Sequence, residues 1–257
     1  MAAQPRRAAL VTGAATGIGR AIVESLAAGG FDVAVNYSRS EKEAQETERL
    51  AKAAGAERTT LIKADVSNES DVIAMVAEVE KLFDGQLDLL VNNAGISSEV
   101  PPHKFDTMTV EDFDRVYAVN VRGTFLVTKH AARLLKAMPQ ANVVNTASIV
   151  GLRPGAQSLP YSSSKAAIIS MTRTLAGALG PSIRVNAVAP GWLEGEWMER
   201  TLGDNYERLM ERRASHTPLK RNARPEDVGA AVLTLATQLS FTTGQTIVID
   251  GGYSFVT

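Results

Sequence analysis

The sequence predicts an α/β fold in which one parallel β-sheet is covered by helices. Short runs rich in Val, Ile and Leu alternate along the chain with longer stretches of helical periodicity. These runs are apolar almost throughout, as a sheet buried on both faces requires. Repeated strand–helix–strand units imply parallel strands joined by right-handed crossovers.

The predicted elements follow one another without an internal repeat, a low-complexity tract or a linker. Strands are expected over residues 7–12, 31–37, 61–65, 87–93, 141–148, 182–190 and 245–252. Helices are expected over about 17–29, 41–54, 69–83, 109–119, 121–138, 161–179 and 225–238. The least regular segment, 190–224, is interpreted as a mobile substrate lid within a single domain spanning 1–257.

Composition narrows the class of protein. The chain has 257 residues, 45% of them apolar and 21% charged, which is typical of a globular domain. The net charge is −1 and no basic stripe is visible, which argues against a nucleic-acid partner. No cysteine is present and the three histidines are scattered, so we expect no metal site. The sequence has no signal-peptide pattern and no run of 18 apolar residues, so we expect a cytoplasmic protein without a membrane partner.

A glycine-rich turn follows the first predicted strand and opens the first helix. Gly13 permits a tight turn, Gly17 lets backbone N–H groups approach a pyrophosphate, and Gly19 allows close helix packing. The positive end of the helix dipole would then face the phosphates. The spacing is Gly-x3-Gly-x-Gly, and a tight connection without a ligand is the alternative. The candidate cofactor residues here are Gly13, Thr16, Gly17, Ile18 and Gly19.

The end of the second strand bears on which nicotinamide cofactor is bound. An NAD site usually has an acidic residue there, but this sequence has Tyr37, and Asp32 lies at the wrong end of the strand. Arg39, flanked by Ser38 and Ser40, suits a ribose 2′-phosphate. We therefore predict NADP(H), with NAD(H) as the alternative cofactor and a solvated loop arginine as the alternative interpretation.

Two further strand ends offer weaker signals. Asp65 and Val66 follow the third strand, where a carboxylate could accept from an adenine amino group or cap the next helix. Asn93, Ala94 and Gly95 follow the fourth strand at its carboxyl edge, where ligands of open α/β sheets bind. Their small side chains would let the backbone approach a cofactor, although they could form only a turn.

Tyr161 and Lys165 are the candidate acid–base pair. Their i, i+4 spacing places both on one helix face, one turn apart. A neighbouring ammonium lowers the pKa of a phenol from about 10, which lets it exchange a proton with an alkoxide or alcohol. The alternative is an amphipathic helix with a core tyrosine and a surface lysine.

Ser148 ends the fifth strand at the same edge and could donate to a substrate oxygen. Asn120 lies between two helical stretches, where its side chain could hold a water linking Lys165 to solvent.

Taken together, these motifs resemble the short-chain dehydrogenase/reductase family over about residues 6–253. The resemblance implies a Rossmann-type, doubly wound, seven-stranded parallel sheet with helices on both faces. It implies that Tyr161 is the catalytic acid/base, that Ser148 orients the carbonyl, and that Asn120 supports a proton relay. It further implies that Lys165 binds the nicotinamide ribose and lowers the Tyr161 pKa.

The resemblance extends to the turn after the sixth strand and to assembly. Pro190 and Gly191 match the family's turn beside the nicotinamide, and Leu193 follows it as a cofactor candidate. Gly195 stands where the family often has threonine, so a hydroxyl contact to the carboxamide would be missing or supplied elsewhere. Many members are tetramers that pair the helices carrying Asn120 and Tyr161, so a homotetramer is predicted.

The pattern is similar to 3-oxoacyl-(acyl carrier protein) reductases, related ketone reductases and sugar dehydrogenases. We predict an NADP(H)-dependent oxidoreductase that acts on a ketone or secondary alcohol. The alternatives are an NAD-dependent sugar or secondary-alcohol dehydrogenase and, from another class, a non-catalytic NADP(H)-sensing regulator.

The candidate substrate-pocket residues are Ser148, Ile149, Gln157, Trp192 and Trp197, although the tryptophans would equally suit a core or an interface. A basic helix face with Lys129, Arg133 and Lys136 could dock an acidic carrier protein, but a solvated face is the simpler interpretation.

Overall fold

Seven parallel strands form one sheet in the order β3-β2-β1-β4-β5-β6-β7 in the computed structural model. The structure describes residues 6–153 and 157–256, so residues 1–5, 154–156 and 257 of the predicted domain lie outside it. The strands are β1 (Arg7–Val11), β2 (Phe31–Tyr37), β3 (Thr59–Lys63), β4 (Leu89–Asn92), β5 (Ala141–Thr146), β6 (Ile183–Pro190) and β7 (Thr246–Ile249). The predicted fold class is confirmed.

Helices cover both faces of the sheet. They are α1 (Gly17–Ala28), α2 (Glu41–Ala53), α3 (Glu69–Leu82), α4 (Val110–Tyr117), α5 (Thr124–Lys136), α6 (Leu159–Leu179), α7 (Glu196–Leu202), α8 (Tyr206–His216), α9 (Pro225–Thr237) and α10 (Tyr253–Val256). None of the helices within the described residues is long and apolar enough to cross a bilayer.

The apolar strands separate two cores because successive side chains point to opposite faces of the sheet. On β1, Ala8 and Leu10 pack with residues of α3, α5 and α6, whereas Ala9 and Val11 pack with residues of α1, α2 and α9. The strand order reverses between β1 and β4. Such a reversal opens a crevice at the carboxyl ends of the strands, which is where ligands bind in this architecture.

A chain of hydrogen bonds between buried polar side chains runs along one face of the sheet, across β4 and β5. Asn92 Nδ2 on β4 donates to Thr128 Oγ1 on α5 and to Asn145 Oδ1 on β5, both at 2.9 Å. Asn145 Nδ2 in turn donates to Thr172 Oγ1 on α6 at 2.9 Å. We call these four residues the polar row, and through them α5 is connected to α6 by side chains alone.

Two local expectations, the helix break near Asn120 and Asp65 as a possible cap of α3, differ from the structure. The expected break between helices at 119–121 is instead a π-helical turn, Ala118–Gly123, which joins α4 to α5. The cap of α3 is Asn68, which accepts from the backbone N–H groups of Ser70 and Asp71. Asp65 accepts from Ser67 instead.

The segment predicted to be least regular also differs from expectation. It contains α7 and α8, joined by a 3₁₀ turn over Gly203–Asn205. The helix α8 reads YERLMERRASH and buries Met210, so its apolar stripe is too narrow to reveal a helix by periodicity.

Candidate active site

A cleft of about 500 Å³ opens at the carboxyl edge of the sheet. Its walls are formed by residues 13, 16–20, 43, 93–96, 146–150, 157, 161, 165, 190–198, 200 and 225. The cleft therefore brings together Ser148, Tyr161 and Lys165 with the glycine turn and with all five candidate pocket residues. Of the other predicted cofactor residues, 93–95, 190, 191 and 193 line it. Residues 37–40, 65 and 66 are not among the cleft walls that the described residues form.

The glycine turn is shaped by close backbone contacts. Gly13 has φ +60°, and a Cβ at this position would lie 2.7 Å from the Cα of Ala94, so no side chain fits. The Gly13 N–H donates to Asn36 Oδ1 at 3.2 Å, while Asn93 Nδ2 donates to the carbonyl of Gly13 at 3.0 Å. Asn36 was not predicted as a site residue, although it is a buried polar residue near the end of β2.

The N-terminus of α1 is open toward the cleft. Gly17 has φ +52°, and no atom of the described chain lies within 4 Å of the position its Cβ would take. Thr16 precedes the helix with an extended backbone, and its side chain makes no capping hydrogen bond within the described residues. Because the first N–H groups of α1 and the positive end of its dipole face this open space, the residues present fit a pyrophosphate.

The end of β2 presents a cation but no carboxylate. Arg39 is exposed; its carbonyl accepts from the Glu41 N–H at 3.1 Å, and no hydrogen bond or ion pair of its guanidinium is found among the described residues. The Tyr37 side chain is buried against Ala15 and Ala44. Asp32 is buried at the other end of β2 and forms ion pairs with Arg6 and Arg58, which precede β1 and β3, so its carboxylate is structural.

Tyr161 and Lys165 lie one turn apart near the start of α6, as their spacing predicts. The Lys165 ammonium lies 5.6 Å from the centre of the Tyr161 ring and donates to the carbonyl of Thr146 at 2.7 Å. Burial raises the pKa of Tyr161 to about 12, and a hydrogen bond with Ser148 opposes that rise. Burial lowers the pKa of Lys165 to about 8. At neutral pH the site therefore holds a neutral phenol beside an ammonium that still carries its proton.

Asn120 is buried in the π-helical turn and faces the strand edge. Its Oδ1 accepts from the Ile96 N–H at 2.8 Å, and its Nδ2 donates to the Ile96 carbonyl at 3.0 Å and to Ser164 Oγ at 2.9 Å. Asn120 Oδ1 and Lys165 Nζ each lie 3.4 Å from the point where a Cβ on Gly95 would sit. The amide oxygen of Asn120 and the Lys165 ammonium therefore border the same small gap beside Gly95.

The two predicted tryptophans line the cleft from the segment after β6. The Trp197 ring centre lies 6.0 Å from that of Tyr161, and the Trp197 side chain is 40% exposed. Trp192 is covered by the guanidinium of Arg213 at 3.3 Å from its ring centre. Gly195 has φ +122° and donates its N–H to the hydroxyl of Tyr206 at 3.2 Å. A threonine at Gly195 would be strained in this backbone conformation.

Some cleft residues were missed in the sequence. Arg20, Glu43, Met198 and Arg200 contribute to the walls, and no motif marks them. Ser164, which contacts Asn120 behind the cleft wall, was missed as well, although it lies inside the Tyr-x3-Lys spacing.

The basic helix face proposed for a carrier protein is largely neutralised within the chain. Lys129 lies 2.8 Å from Glu69, and Arg133 lies 2.6 Å from Glu80. These ion pairs favour the interpretation of a solvated face.

A dinucleotide-binding turn, a tyrosine–lysine pair and a serine at the carboxyl edge of a doubly wound parallel sheet define a nicotinamide-dependent oxidoreductase. Comparison with known proteins agrees with this class. The family profile described as Enoyl-(Acyl carrier protein) reductase matches residues 13–254. The chain belongs to the short-chain dehydrogenase/reductase family, whose members use NAD(H) or NADP(H).

Relatives of several activities are similar over nearly the whole chain. A Streptomyces violaceoruber protein, assigned as ketoacyl reductase 2 of the granaticin polyketide synthase, is 39% identical over 95% of this chain and 94% of its own length. Glucose 1-dehydrogenase 2 of Bacillus subtilis is 36% identical over 96% of this chain and 94% of its own. The crystal structure of levodione reductase superimposes with a TM-score of 0.88 at 29% identity, covering 98% of both chains. The protein is therefore an oxidoreductase of this family.

Proposed function

We propose that the protein is an NADP(H)-dependent carbonyl reductase or alcohol dehydrogenase that acts on a ketone or secondary alcohol. One observation carries this proposal most directly. The Tyr161 phenol, hydrogen-bonded with Ser148 and one helical turn from the Lys165 ammonium, lines the same cleft as the open N-terminus of α1.

The residues that would hold the cofactor follow from the cleft walls. The turn at residues 13–19 would bind the pyrophosphate, and residues 93–95 and 190–193 would lie along the rest of the dinucleotide. When bound there, a nicotinamide supplies or accepts the hydride.

The chain's own residues would manage the proton. Ser148 would hold the substrate oxygen, and the Tyr161 hydroxyl would give its proton to that oxygen as the carbonyl is reduced. The raised pKa of Tyr161 keeps the phenol protonated at neutral pH, which suits an acid. In the direction of alcohol oxidation the phenolate is needed, and the Lys165 ammonium stabilises it. The gap beside Asn120 and Gly95 would hold the water through which Lys165 exchanges protons with solvent.

The preference for NADP(H) rests on Arg39. Its guanidinium is exposed at the end of β2, between two serine hydroxyls, and the position usually occupied by an acidic residue is Tyr37. A guanidinium binds a phosphate by two parallel hydrogen bonds, whereas a carboxylate there would repel it.

Four residues of the cleft near Tyr161 bear on the substrate class. Ile149, Trp192 and Trp197 present apolar surface beside Tyr161, and Gln157 adds one polar group. This lining suits a ketone with an apolar body, which agrees with the ketoacyl and levodione reductases among the similar proteins. The similarity to a glucose dehydrogenase supports the second candidate, an NAD-dependent sugar or secondary-alcohol dehydrogenase.

The test of the function is a panel of ketones, 3-oxoacyl thioesters, secondary alcohols and sugars, assayed with both cofactors. We expect turnover of a ketone with NADPH and a loss of about 10²–10⁴-fold in kcat for Tyr161→Phe, the range for a general acid. Tyr117→Phe removes a hydroxyl outside the cleft and should leave kcat unchanged. Full activity of Tyr161→Phe would refute the mechanism, and faster turnover of sugars with NADH would favour the second candidate.

The cofactor preference is tested separately. Arg39→Ala should weaken NADPH binding at least tenfold, about 1.4 kcal/mol, with little change for NADH. Lys136→Ala removes one exposed cation at the far end of α5 and serves as the control. Equal loss for both cofactors in Arg39→Ala would contradict a role at the 2′-phosphate.

The assembly is proposed to be a cytoplasmic homotetramer with a small molecule, and neither nucleic acid nor membrane, as its partner. The exposed surface of α4 and α5 supports a paired interface. There Tyr117, Val121 and Phe125 line a groove with Met171, and Phe125 is 49% exposed. Light scattering should show a tetramer, and Phe125→Glu should reduce it to a smaller species.

A further inference from the structure

The three serines between Tyr161 and Lys165 have different surroundings. Ser163 is half-buried and donates to the Leu159 carbonyl of its own helix at 2.8 Å. The Ser162 hydroxyl is buried without a hydrogen-bond partner in the described part of the chain. Ser164 is completely buried, and its hydroxyl accepts from Asn120 Nδ2 at 2.9 Å and donates to the Tyr161 carbonyl at 2.7 Å.

The bond from Asn120 to Ser164 fixes which way round the Asn120 amide lies. Both amide hydrogens are used, one on the Ile96 carbonyl and one on Ser164, while Oδ1 accepts from the Ile96 N–H. Reversing the amide would place its NH₂ against the Ile96 N–H donor, and turning it away from Ser164 would leave a buried N–H without an acceptor. An unsatisfied buried donor costs about 1–3 kcal/mol, so the Ser164 hydroxyl holds one orientation.

The orientation matters because of what Asn120 faces. Its Oδ1 and Lys165 Nζ each lie 3.4 Å from the position that a Cβ on Gly95 would take, so both atoms border the space beside Gly95. A carbonyl dipole whose negative end points toward an ammonium favours the charged form of that ammonium. An amide that rotates freely would not provide this field.

We propose that Ser164 is a positioning residue for the acid–base site, holding the Asn120 amide with its oxygen toward Lys165 and anchoring it to the backbone of Tyr161. The inference rests on the proposed roles of Asn120, Tyr161 and Lys165. It adds a connection between the π-helical turn and the catalytic helix that the Tyr-x3-Lys spacing does not reveal.

The test compares Ser164→Ala with the neighbouring Ser163→Ala, measuring kcat, KM for the cofactor and the pH profile of alcohol oxidation. In Ser164→Ala, Lys165 loses its charge more readily, so phenolate formation at Tyr161 requires a higher pH. We expect kcat to fall about tenfold, a small part of the 10²–10⁴-fold range of proton-transfer catalysis, with KM for the cofactor within about twofold. The half-maximal pH should rise by about half a unit. Ser163→Ala should match the wild type in all three.

A double-mutant cycle with Asn120→Ala identifies the route of the effect. If Ser164 acts through Asn120, the Ser164→Ala change should have no further effect on kcat in the Asn120→Ala background. Multiplicative losses would overturn the proposal, as would a fall in kcat with an unchanged pH profile. If Ser164→Ala does not fold, Ser164→Cys has similar volume and a weak acceptor, and should shift the profile in the same direction by less. Full activity of Tyr161→Phe would instead refute the proposed function, so the two failures are distinguishable.

Discussion

Replacing Lys165 with methionine should stabilise the fold while abolishing its activity. The Lys165 side chain is 4% exposed, and burial lowers its pKa from the ordinary 10.5 to about 8. At about 1.4 kcal/mol per pKa unit, keeping the ammonium charged in the cleft at pH 7 costs about 3 kcal/mol. Methionine has similar length and no charge. Leaving the Thr146 carbonyl without its donor costs about 1 kcal/mol. The expected net gain for Lys165→Met is about 2 kcal/mol at pH 7.

The pH dependence of that gain tests the reasoning. Because the folded pKa of Lys165 lies below the unfolded one, the unfolded wild type binds more protons between about pH 8 and 10.5, and wild-type stability rises across that interval. The advantage of Lys165→Met should be complete below about pH 8 and mostly gone at pH 10. Urea unfolding of the cofactor-free proteins at pH 7 and pH 10 measures it. A variant less stable than the wild type at pH 7, with the same difference at pH 10, would refute this account.

Three further predictions concern the glycine turn, the gap beside the lysine and the carboxylate of β2. Gly13→Ala places a methyl group 2.7 Å from the Cα of Ala94 in a left-handed backbone, so calorimetry should show at least tenfold weaker cofactor binding; unchanged affinity would contradict the turn geometry. Gly95→Ala places a methyl group 3.4 Å from Lys165 Nζ, an ordinary contact, so the thermal midpoint should be retained while kcat falls about tenfold; wild-type kcat would exclude a water path there. Burial alone would raise the pKa of Asp32, but hydrogen bonds from Arg58 and Arg6 lower it overall. The Asp32 carboxylate therefore stabilises the fold above its unfolded pKa, and this stabilisation is lost as the pH falls through its folded pKa. Asp32→Asn should cost about 3 kcal/mol at pH 7 and less at pH 3 in urea unfolding, and a pH-independent difference would argue against the ion pairs.

Most of the fold could be predicted because both faces of the sheet are buried. In β1 the four residues after Arg7 are all buried and all apolar, as a strand covered on both faces requires, and that pattern is visible in the sequence itself. The α7–α8 segment could not be predicted in the same way. Its helices carry many charged residues, so their sequences show no clear apolar periodicity. They are positioned by tertiary contacts, such as the hydrogen bond from Gly195 to Tyr206, which a local pattern does not reveal.

The catalytic constellation was predictable for a topological reason. Parallel strands end at the same edge, so residues that follow β4 and β5 must lie close to one another, and the spacing of Tyr161 and Lys165 aligns them on one face. The orientation of side chains was not predictable. The stack of Arg213 on Trp192 joins residues that are far apart in sequence. The π-helical turn at Asn120 depends on the Ile96 backbone, so an asparagine that local propensity treats as a helix break is satisfied by tertiary hydrogen bonds.

The polar row has a consequence for how this protein can change over evolutionary time. Replacing Asn92 or Asn145 by an apolar residue of similar shape would leave polar groups of its hydrogen-bond partners buried and unsatisfied. Each unsatisfied group would lower the free energy of unfolding by about 1–3 kcal/mol. Replacing both partners together avoids much of that loss. Substitutions within the polar row should therefore be epistatic, because each is destabilising alone but tolerated when its hydrogen-bond partner is replaced as well. The spacing between α5 and α6, and with it the geometry of the site above, would thus be protected against single mutations by the sheet itself.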